Sequence, residues 1–157
     1  MNKLKEEILQ HLLDSIEYVE SLNDLSEKEW RTRIEEGKWT VAEIIGHFTP
    51  WDEFVLHKRL PYLFSEHELP KGPESEKMNA ESASISRTEK QQVTIGKFIS
   101  TRKELYKAMN EIPNDQWEEK FTIGKTTLSL HEYFSSFAQH DHHHFDQIKK
   151  SIHIKRK

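Results

Sequence analysis

One long helix is predicted for residues Ser129 to Ser151, which read SLHEYFSSFAQHDHHHFDQIKKS. With about 100° of rotation per residue, the apolar side chains of this helix fall on a single stripe. The stripe consists of Leu130, Tyr133, Phe134, Phe137, Ile148 and Ile152. His140 and His144 lie inside the stripe and, four residues apart, sit one above the other on the same face. Two imidazoles that point into a core at this spacing can share one metal ion.

The composition indicates a soluble, charge-rich globular protein. The 157 residues are 34% hydrophobic and 32% charged, with a net charge of −4 at pH 7. This charge gives no electrostatic reason to expect nucleic acid or an acidic membrane surface as a partner. No apolar run approaches the roughly 20 residues that span a bilayer, and the first residues carry charges too early for a signal peptide. We therefore expect a single cytoplasmic domain over residues 1–157.

Three more long helices are predicted upstream, over residues 2–22, from residue 40 to near 61, and from about 86 to 112. Residues 65–85 are polar and contain prolines and a glycine, so they indicate a long exposed connection. Residues 116–128 can form a small hairpin or a loop. Four long helices with one long crossover connection predict an all-α four-helix bundle.

Capping boxes mark where these helices begin. In this pattern a Ser or Thr precedes the helix, and a Glu three residues later bonds back to it. Four pairs have the spacing: Ser26 and Glu29, Thr40 and Glu43, Ser86 and Glu89, and Ser129 and Glu132.

A metal site that does chemistry needs three protein ligands and one open position. The chain contains no cysteine, which excludes thiolate ligands, disulfides and a cysteine nucleophile. The third ligand must therefore come from a helix that faces His140 and His144. His47 is the best-placed candidate because it borders the apolar stripe of the second long helix, whereas His11 on the first helix is more peripheral. From the residues alone, core or surface histidines without a metal are the alternative.

Two segments resemble the DinB/YfiT-like superfamily of metalloenzymes: WTVAEIIGH, from Trp39 to His47, and HDHHHFDQI, from His140 to Ile148. The superfamily pattern has Trp-Ser/Thr-x-x-Glu-x-x-x-His on the second helix. On the last helix it has His-x-x-x-His, followed three residues later by Gln. Every one of these positions is present here. The resemblance implies a four-helix bundle over essentially the whole chain, with the metal held by His47, His140 and His144, and a homodimer.

Neighbouring polar residues are candidates for supporting roles. Asp52 and Asp141 fall near the centres of two apolar stripes, and Arg102 falls within a third, so these side chains can form a buried ionic network. One interpretation is a structural salt bridge that holds the helices in register. The other makes Asp52 or Asp141 a catalytic group that orients a ligand or accepts a proton. Gln147 lies one turn from the ligands, where it can contact water or substrate.

Three neutral imidazoles suit zinc, nickel, iron or copper, and we expect zinc or nickel. The resemblance implies two reactions on a small-molecule substrate. A thiol S-transferase would activate a low-molecular-weight thiol on the metal, and a hydrolase would activate water for attack on an ester or amide. The alternative is a non-catalytic metal-binding or stress-response protein. An open pocket above the histidines favours an enzyme, whereas a site sealed by Trp51 and Phe137 favours a structural metal.

Overall fold

The computed structural model describes residues 2–64, 69 and 72–156. In chain order the helices are α1 (Lys3–Ser21), α2 (Glu27–Trp30), α3 (Val41–Phe54), α4 (Ser75–Thr88), α5 (Gln91–Asn110) and α6 (Leu130–Arg156). The four long helices α1, α3, α5 and α6 make the bundle. Helix α5 packs against both α1 and α3, and α1 also packs against α6. The predicted all-α bundle is confirmed.

Buried apolar side chains form two clusters inside the bundle. The first is built around Trp30, Phe48 and Phe98, and the second around Trp117 and Phe134. All five of these rings are at most 2% exposed. Burial of large rings of this kind is the main stabilising contribution in a chain with modest hydrophobic content.

The predicted capping boxes at Thr40 and Ser129 are confirmed, and they begin the two helices that carry the histidines. The Thr40 hydroxyl accepts from the Glu43 N–H, and the Glu43 carboxylate accepts from the Thr40 N–H, both at 3.1 Å. Ser129 and Glu132 make the same reciprocal pair before α6. Helix α6 follows directly from a small hairpin of β1 (Lys120–Ile123) and β2 (Thr126–Ser129). Of the two sequence alternatives, the hairpin is the correct one.

The predicted long connection is wrong for its second half, because residues 75–88 form helix α4, which packs against α3. Residues 65–68 and 70–71 of that connection lie outside the described residues. The predicted capping box at Ser86 and Glu89 is also wrong. Ser86 is buried inside α4 and bonds to the Ala83 carbonyl, and Glu89 follows the end of α4 in an extended conformation.

Arg31 explains why α4 ends where it does. Its guanidinium donates to the carbonyl oxygens of Ser86, Arg87 and Glu89 at 2.9, 3.2 and 2.6 Å. These carbonyls at the end of the helix have no intrahelical partner, so an arginine from elsewhere in the chain stabilises the break. Helix α5 then begins two residues later, at Gln91.

Helix α3 continues into a π-helical turn over Val55–Arg59 and a 3₁₀ turn over Leu60–Tyr62. Its end near Pro61 agrees with the sequence prediction. Among the described residues, no helix combines the length and the apolar character needed to cross a bilayer.

Candidate metal centre

Three histidine side chains from two helices converge between α3 and α6. His47 comes from α3, and His140 and His144 come from successive turns of α6. One ring nitrogen from each residue lies within 4.8 Å of the others, and the ring centroids are 4.6 to 5.6 Å apart. These are the three residues that the family resemblance assigns to the metal, and the fold brings them together.

A backbone hydrogen bond orients the imidazole of His47. Its Nδ1–H donates to the carbonyl oxygen of Ile44, one turn earlier in α3. Because a carbonyl oxygen only accepts, Nδ1 carries the proton and Nε2 keeps its lone pair. The indole of Trp39, which lies just before the N-cap of α3, packs with its centroid 5.1 Å from that of the imidazole. His47 therefore offers Nε2 to a metal in a restrained orientation.

His144 is oriented in a similar way by Gln147. The Nδ1 atom of His144 lies 3.0 Å from Oε1 of Gln147. The amide oxygen is an acceptor, so the proton again resides on Nδ1 and Nε2 is free for a metal. Metal-binding histidines usually donate their second ring N–H to such a fixed acceptor. Gln147 is thus placed to orient the ring of His144. Its predicted contact with water or substrate stays a prediction.

The histidine pair on α6 is less buried than the sequence predicts. The amphipathic stripe places both rings in a core, yet His140 is exposed and His144 is half-buried. Only His47, at 2% exposure, is enclosed. The reason is that this part of α6 faces a pocket between α3 and α6, which both rings line.

Burial keeps the three imidazoles neutral near neutral pH. It lowers the pKa of His47 to about 3, and the neighbouring His144 and His140 act in the same direction. The pKa values of His140 and His144 are also lowered, mainly because the parts of these rings that face the protein lose their hydration, even though His140 is otherwise exposed. A transition metal binds the lone pair of a neutral imidazole. Three neutral rings with at least two fixed tautomers therefore fit a divalent metal.

The pocket beside these imidazoles has a volume of about 550 Å³. Trp51 and Phe137 line it together with the histidines. The Trp51 Nε1–H donates to Oδ1 of Asn79 on α4 at 2.8 Å, which holds the indole in the wall. Because the two aromatic rings form walls of the same cavity, they leave the imidazoles accessible to a small molecule.

Arg102 on α5 joins two carboxylates at the side of this pocket. It donates to Asp52 at 2.6 and 3.3 Å and to Asp141 at 2.6 and 3.0 Å. All three side chains are at most 1% exposed, so the predicted buried network is confirmed. His11 extends it, with Nε2 2.7 Å from Asp141. The sequence placed His11 at the periphery, and its burial against Asp141 corrects that prediction.

The two carboxylates differ in their ease of protonation. Burial raises the pKa of Asp52 to about 6, against the opposing charge of Arg102. Burial also acts to raise the pKa of Asp141, but the charge of Arg102 and hydrogen bonds from His11 and Arg102 lower it to about 2. Both carboxylates line the pocket. Asp141 is therefore a permanent counter-charge, and Asp52 is the carboxyl that can exchange a proton near neutral pH.

Sequence reasoning gave no role to Arg59, which the structure places in the same pocket. It lies in the π-helical turn after α3, at only 7% exposure. An arginine near the end of an amphipathic helix is ordinarily a solvated residue. No spacing in the sequence could have shown that this one turns inward.

Comparisons with solved structures agree with this architecture. YfiT from Bacillus subtilis, described as a probable metal-dependent hydrolase with an unusual four-helix bundle topology, superposes with a TM-score of 0.79 at 15% identity. The match covers 96% of this chain and 87% of YfiT. At this identity the likeness establishes the fold alone.

A mycothiol-dependent maleylpyruvate isomerase also has this fold. It superposes with a TM-score of 0.67 at 18% identity, and a histidine-to-alanine variant of it with 0.68 at 17%. Both matches cover 94% of this chain but only 63% of the isomerase, so the present chain is similar to one part of a longer protein.

Sequence comparison identifies the family directly. No curated protein sequence matches the chain, whereas the family model of the DinB superfamily matches residues 9–148. That range includes all three clustered histidines and the greater part of every long helix of the bundle. The chain belongs to the DinB superfamily.

Proposed function

We propose that this protein is a metal-dependent enzyme that holds a divalent transition metal on His47, His140 and His144. The observation that carries the proposal is the meeting of three neutral imidazoles at the wall of an open pocket. A structural metal site is closed by a fourth protein ligand, whereas a catalytic site keeps one position open. Among the described residues, the ligand-type side chains that cluster within 4.8 Å are these three histidines. Three ligands beside a cavity support an enzyme.

Hydrolysis of an ester or amide is the first candidate reaction. When bound, the metal would lower the pKa of a water molecule and polarise a carbonyl oxygen. Asp52 lines the pocket, and with its pKa near 6 it can accept the proton of the attacking water and return it to the leaving group. Arg102 holds Asp52 in place and links it to Asp141, and its positive charge offsets part of the negative charge of the two carboxylates. The fold shared with YfiT supports this candidate.

Transfer of a small thiol is the second candidate, and the size and lining of the pocket favour it. A cavity of about 550 Å³ has room for a thiol beside an electrophile. Since the chain has no cysteine, the thiol would be a separate low-molecular-weight compound. Asp52 would then take the thiol proton, and the aromatic walls would exclude water from the nucleophile. The shared fold of the mycothiol-dependent isomerase supports this candidate.

The first experiment is elemental analysis of untagged protein after reconstitution with zinc and with nickel. We expect near-stoichiometric metal in the wild type and loss of metal in His144→Ala, with the circular-dichroism signal of the helices retained. His142→Ala is the matched control, because His142 lies on the same helix but is exposed and outside the cluster. Absence of metal from the wild type after both treatments would exclude the metalloenzyme.

Activity then separates the two reactions. The loaded protein is assayed with aryl esters and anilides, and with an electrophile that releases a chromophore, in the presence and absence of a small thiol. Turnover without thiol identifies a hydrolase, and turnover that requires thiol identifies a transferase. In either case Asp52→Asn should lower kcat while the metal content is retained, because Asn cannot accept a proton.

A further inference from the structure

We propose that Arg59 binds the carboxylate of the small molecule that occupies the pocket beside the three histidines. This inference rests on the proposed function, because it takes the pocket to be the substrate site. Binding of the anion itself does not require the metal. The substrate class that follows is a monoanionic carboxylate with an apolar or aromatic body. The reactive group of that molecule would then face the histidines.

The first observation is that Arg59 is a buried cation without an anion among the described residues. Its side chain is buried at 7% exposure, and its Nε has no hydrogen-bond acceptor. The hydroxyl of Tyr133 is a polar neighbour, and burial raises the pKa of that hydroxyl, so it is a neutral group. Taking a guanidinium out of water without a counter-charge costs stability. An incoming anion would remove that cost.

The other buried arginine of the bundle shows what a satisfied site looks like. Arg102 donates to both oxygens of Asp52 and both oxygens of Asp141. Arg59 has a similar degree of burial, but the residues packed on it are the rings of Phe54, with its centroid 4.9 Å from Cζ, and Tyr133, at 6.0 Å. Aromatic faces hold a guanidinium in position, and the Tyr133 hydroxyl adds a polar contact, but neither supplies a negative charge. Within the described part of the chain, Arg59 is therefore held in one orientation without a carboxylate to neutralise it.

The π-helical turn explains how Arg59 reaches the pocket. Arg59 lies twelve positions after His47, and on a regular α-helix that spacing would leave the two side chains about 120° apart. In a π-helix each residue turns through a smaller angle, because each hydrogen bond spans five residues. The π turn at Val55–Arg59 therefore rotates Arg59 back towards the face of His47. Both side chains accordingly line one cavity.

The remaining walls indicate the rest of the ligand. The apolar part of the lining includes Trp51, Phe54, Val55 and Phe137. Apolar walls with a few placed polar groups are typical of small-molecule sites. The planar fork of a guanidinium matches a carboxylate. A ligand with an apolar body and one carboxylate therefore matches the apolar walls and the guanidinium of Arg59.

The test measures binding of phenylacetate and of its neutral analogue phenylacetamide to chelator-treated protein by calorimetry, in a buffer without carboxylates or phosphates. We expect the wild type to bind phenylacetate more tightly than phenylacetamide. In Arg59→Gln the Kd for phenylacetate should rise roughly tenfold or more, since hydrogen bonds to a charged group contribute on that scale. The Kd for phenylacetamide should change little. Arg59→Lys keeps the charge but loses the planar guanidinium, so its Kd for phenylacetate should lie between those of the wild type and Arg59→Gln.

Lys58→Gln is the matched control. It removes the same charge one residue away, but Lys58 is exposed and lies outside the pocket lining, so phenylacetate binding should stay at the wild-type value. Equal binding of acid and amide by the wild type would overturn the proposal. So would wild-type affinity for the acid in Arg59→Gln, or absence of binding at millimolar concentrations. Since the protein is metal-free here, a negative result is separate from failure of the metal-content experiment.

Discussion

Gln147 carries no charge and offers no metal-binding atom, yet it decides which nitrogen His144 can present. Its amide oxygen accepts from Nδ1 of His144 at 3.0 Å, just as the Ile44 carbonyl accepts from Nδ1 of His47. An imidazole without such an acceptor exchanges tautomers and rotates freely. The family resemblance includes this glutamine, and the geometry provides a physical reason for its place three residues after the second histidine of the pair.

Replacement of Gln147 should therefore weaken metal binding without unfolding the helix. We expect Gln147→Leu to raise the Kd for zinc roughly 10- to 100-fold, because loss of such an outer contact has that typical effect. Gln147→Glu keeps an acceptor of the same length and should retain the wild-type affinity or improve it. Competition with a chromogenic chelator measures both. If Leu and Glu weaken binding equally, the hydrogen bond to His144 does not support the site.

At the level of elements, the sequence was informative where a helix carries a continuous apolar stripe. The stripes predicted the long helices α1, α3, α5 and α6, and local capping boxes located the starts of α3 and α6. These features depend on residues a few positions apart, so the sequence alone contains them. The same reasoning makes His47 the best-placed partner of His140 and His144, and the family resemblance then assigns all three to one site.

Helix α4 was missed because its stability comes from distant residues. It buries Ser82 and Ser86 in place of large apolar side chains, so no stripe is visible. Its end is held by Arg31, and its Arg87 donates to Glu43 of α3 at 3.0 Å. No local pattern reveals contacts of this range. For the same reason neither the π turn that brings Arg59 inward nor the burial of His11 could be predicted.

Close packing of α3 on α4 depends on Gly46, the residue next to His47. A Cβ atom at Gly46 would lie 2.8 Å from Cβ of Ser86, which is too close without a backbone shift. We expect Gly46→Ala to lower the free energy of unfolding by up to about 2 kcal/mol, since overpacking costs about 1–3 kcal/mol and the gain in helix propensity returns only about 1 kcal/mol. Urea denaturation followed by circular dichroism measures the change.

Ser86→Gly provides the matched partner for this test. Alone it should lower the free energy of unfolding by about 1 kcal/mol, because glycine is unfavourable inside a helix. Combined with Gly46→Ala it makes space for the new methyl group, so the double variant should be more stable than the sum of the two changes predicts. Additive effects would mean that the two helices separate to accommodate the methyl group.

At the scale of the whole molecule, one polar network connects every long helix of the bundle. Arg102 on α5 bonds to Asp52 on α3 and Asp141 on α6, and α1 contributes His11 and Ser15. The guanidinium also lies between aromatic rings of the two hydrophobic clusters, with Cζ 4.6 Å from the Phe98 centroid and 4.7 Å from that of Phe137. Because Asp141 directly follows His140, this network holds α6 in register with α3. The structural and functional interpretations of the network are thus compatible.

The buried His47 should make the stability of the metal-free protein depend on pH. Its pKa is about 3 in the folded chain and about 6.5 when unfolded. A lowered pKa means that its contribution to stability is present above pH 6.5 and is lost as the pH falls towards 3. At about pH 5, protonation of His47 in the unfolded chain should lower the free energy of unfolding by about 2 kcal/mol. The lowered pKa values of His140 and His144 act in the same direction.

Comparison with His47→Gln isolates this contribution. Asp52 acts in the opposite sense, since its raised pKa gives stability that is lost as the pH rises through about 6, but that contribution is common to both proteins and cancels. Urea titrations of chelator-treated protein measure the free energy of unfolding of wild type and variant. The difference between the two should narrow by about 2 kcal/mol from about pH 7.5 to 5. His57→Gln, at an exposed position after α3, serves as the control and should follow the wild type. A difference in the free energy of unfolding that stays constant with pH would mean that water reaches the ring of His47 in the folded protein.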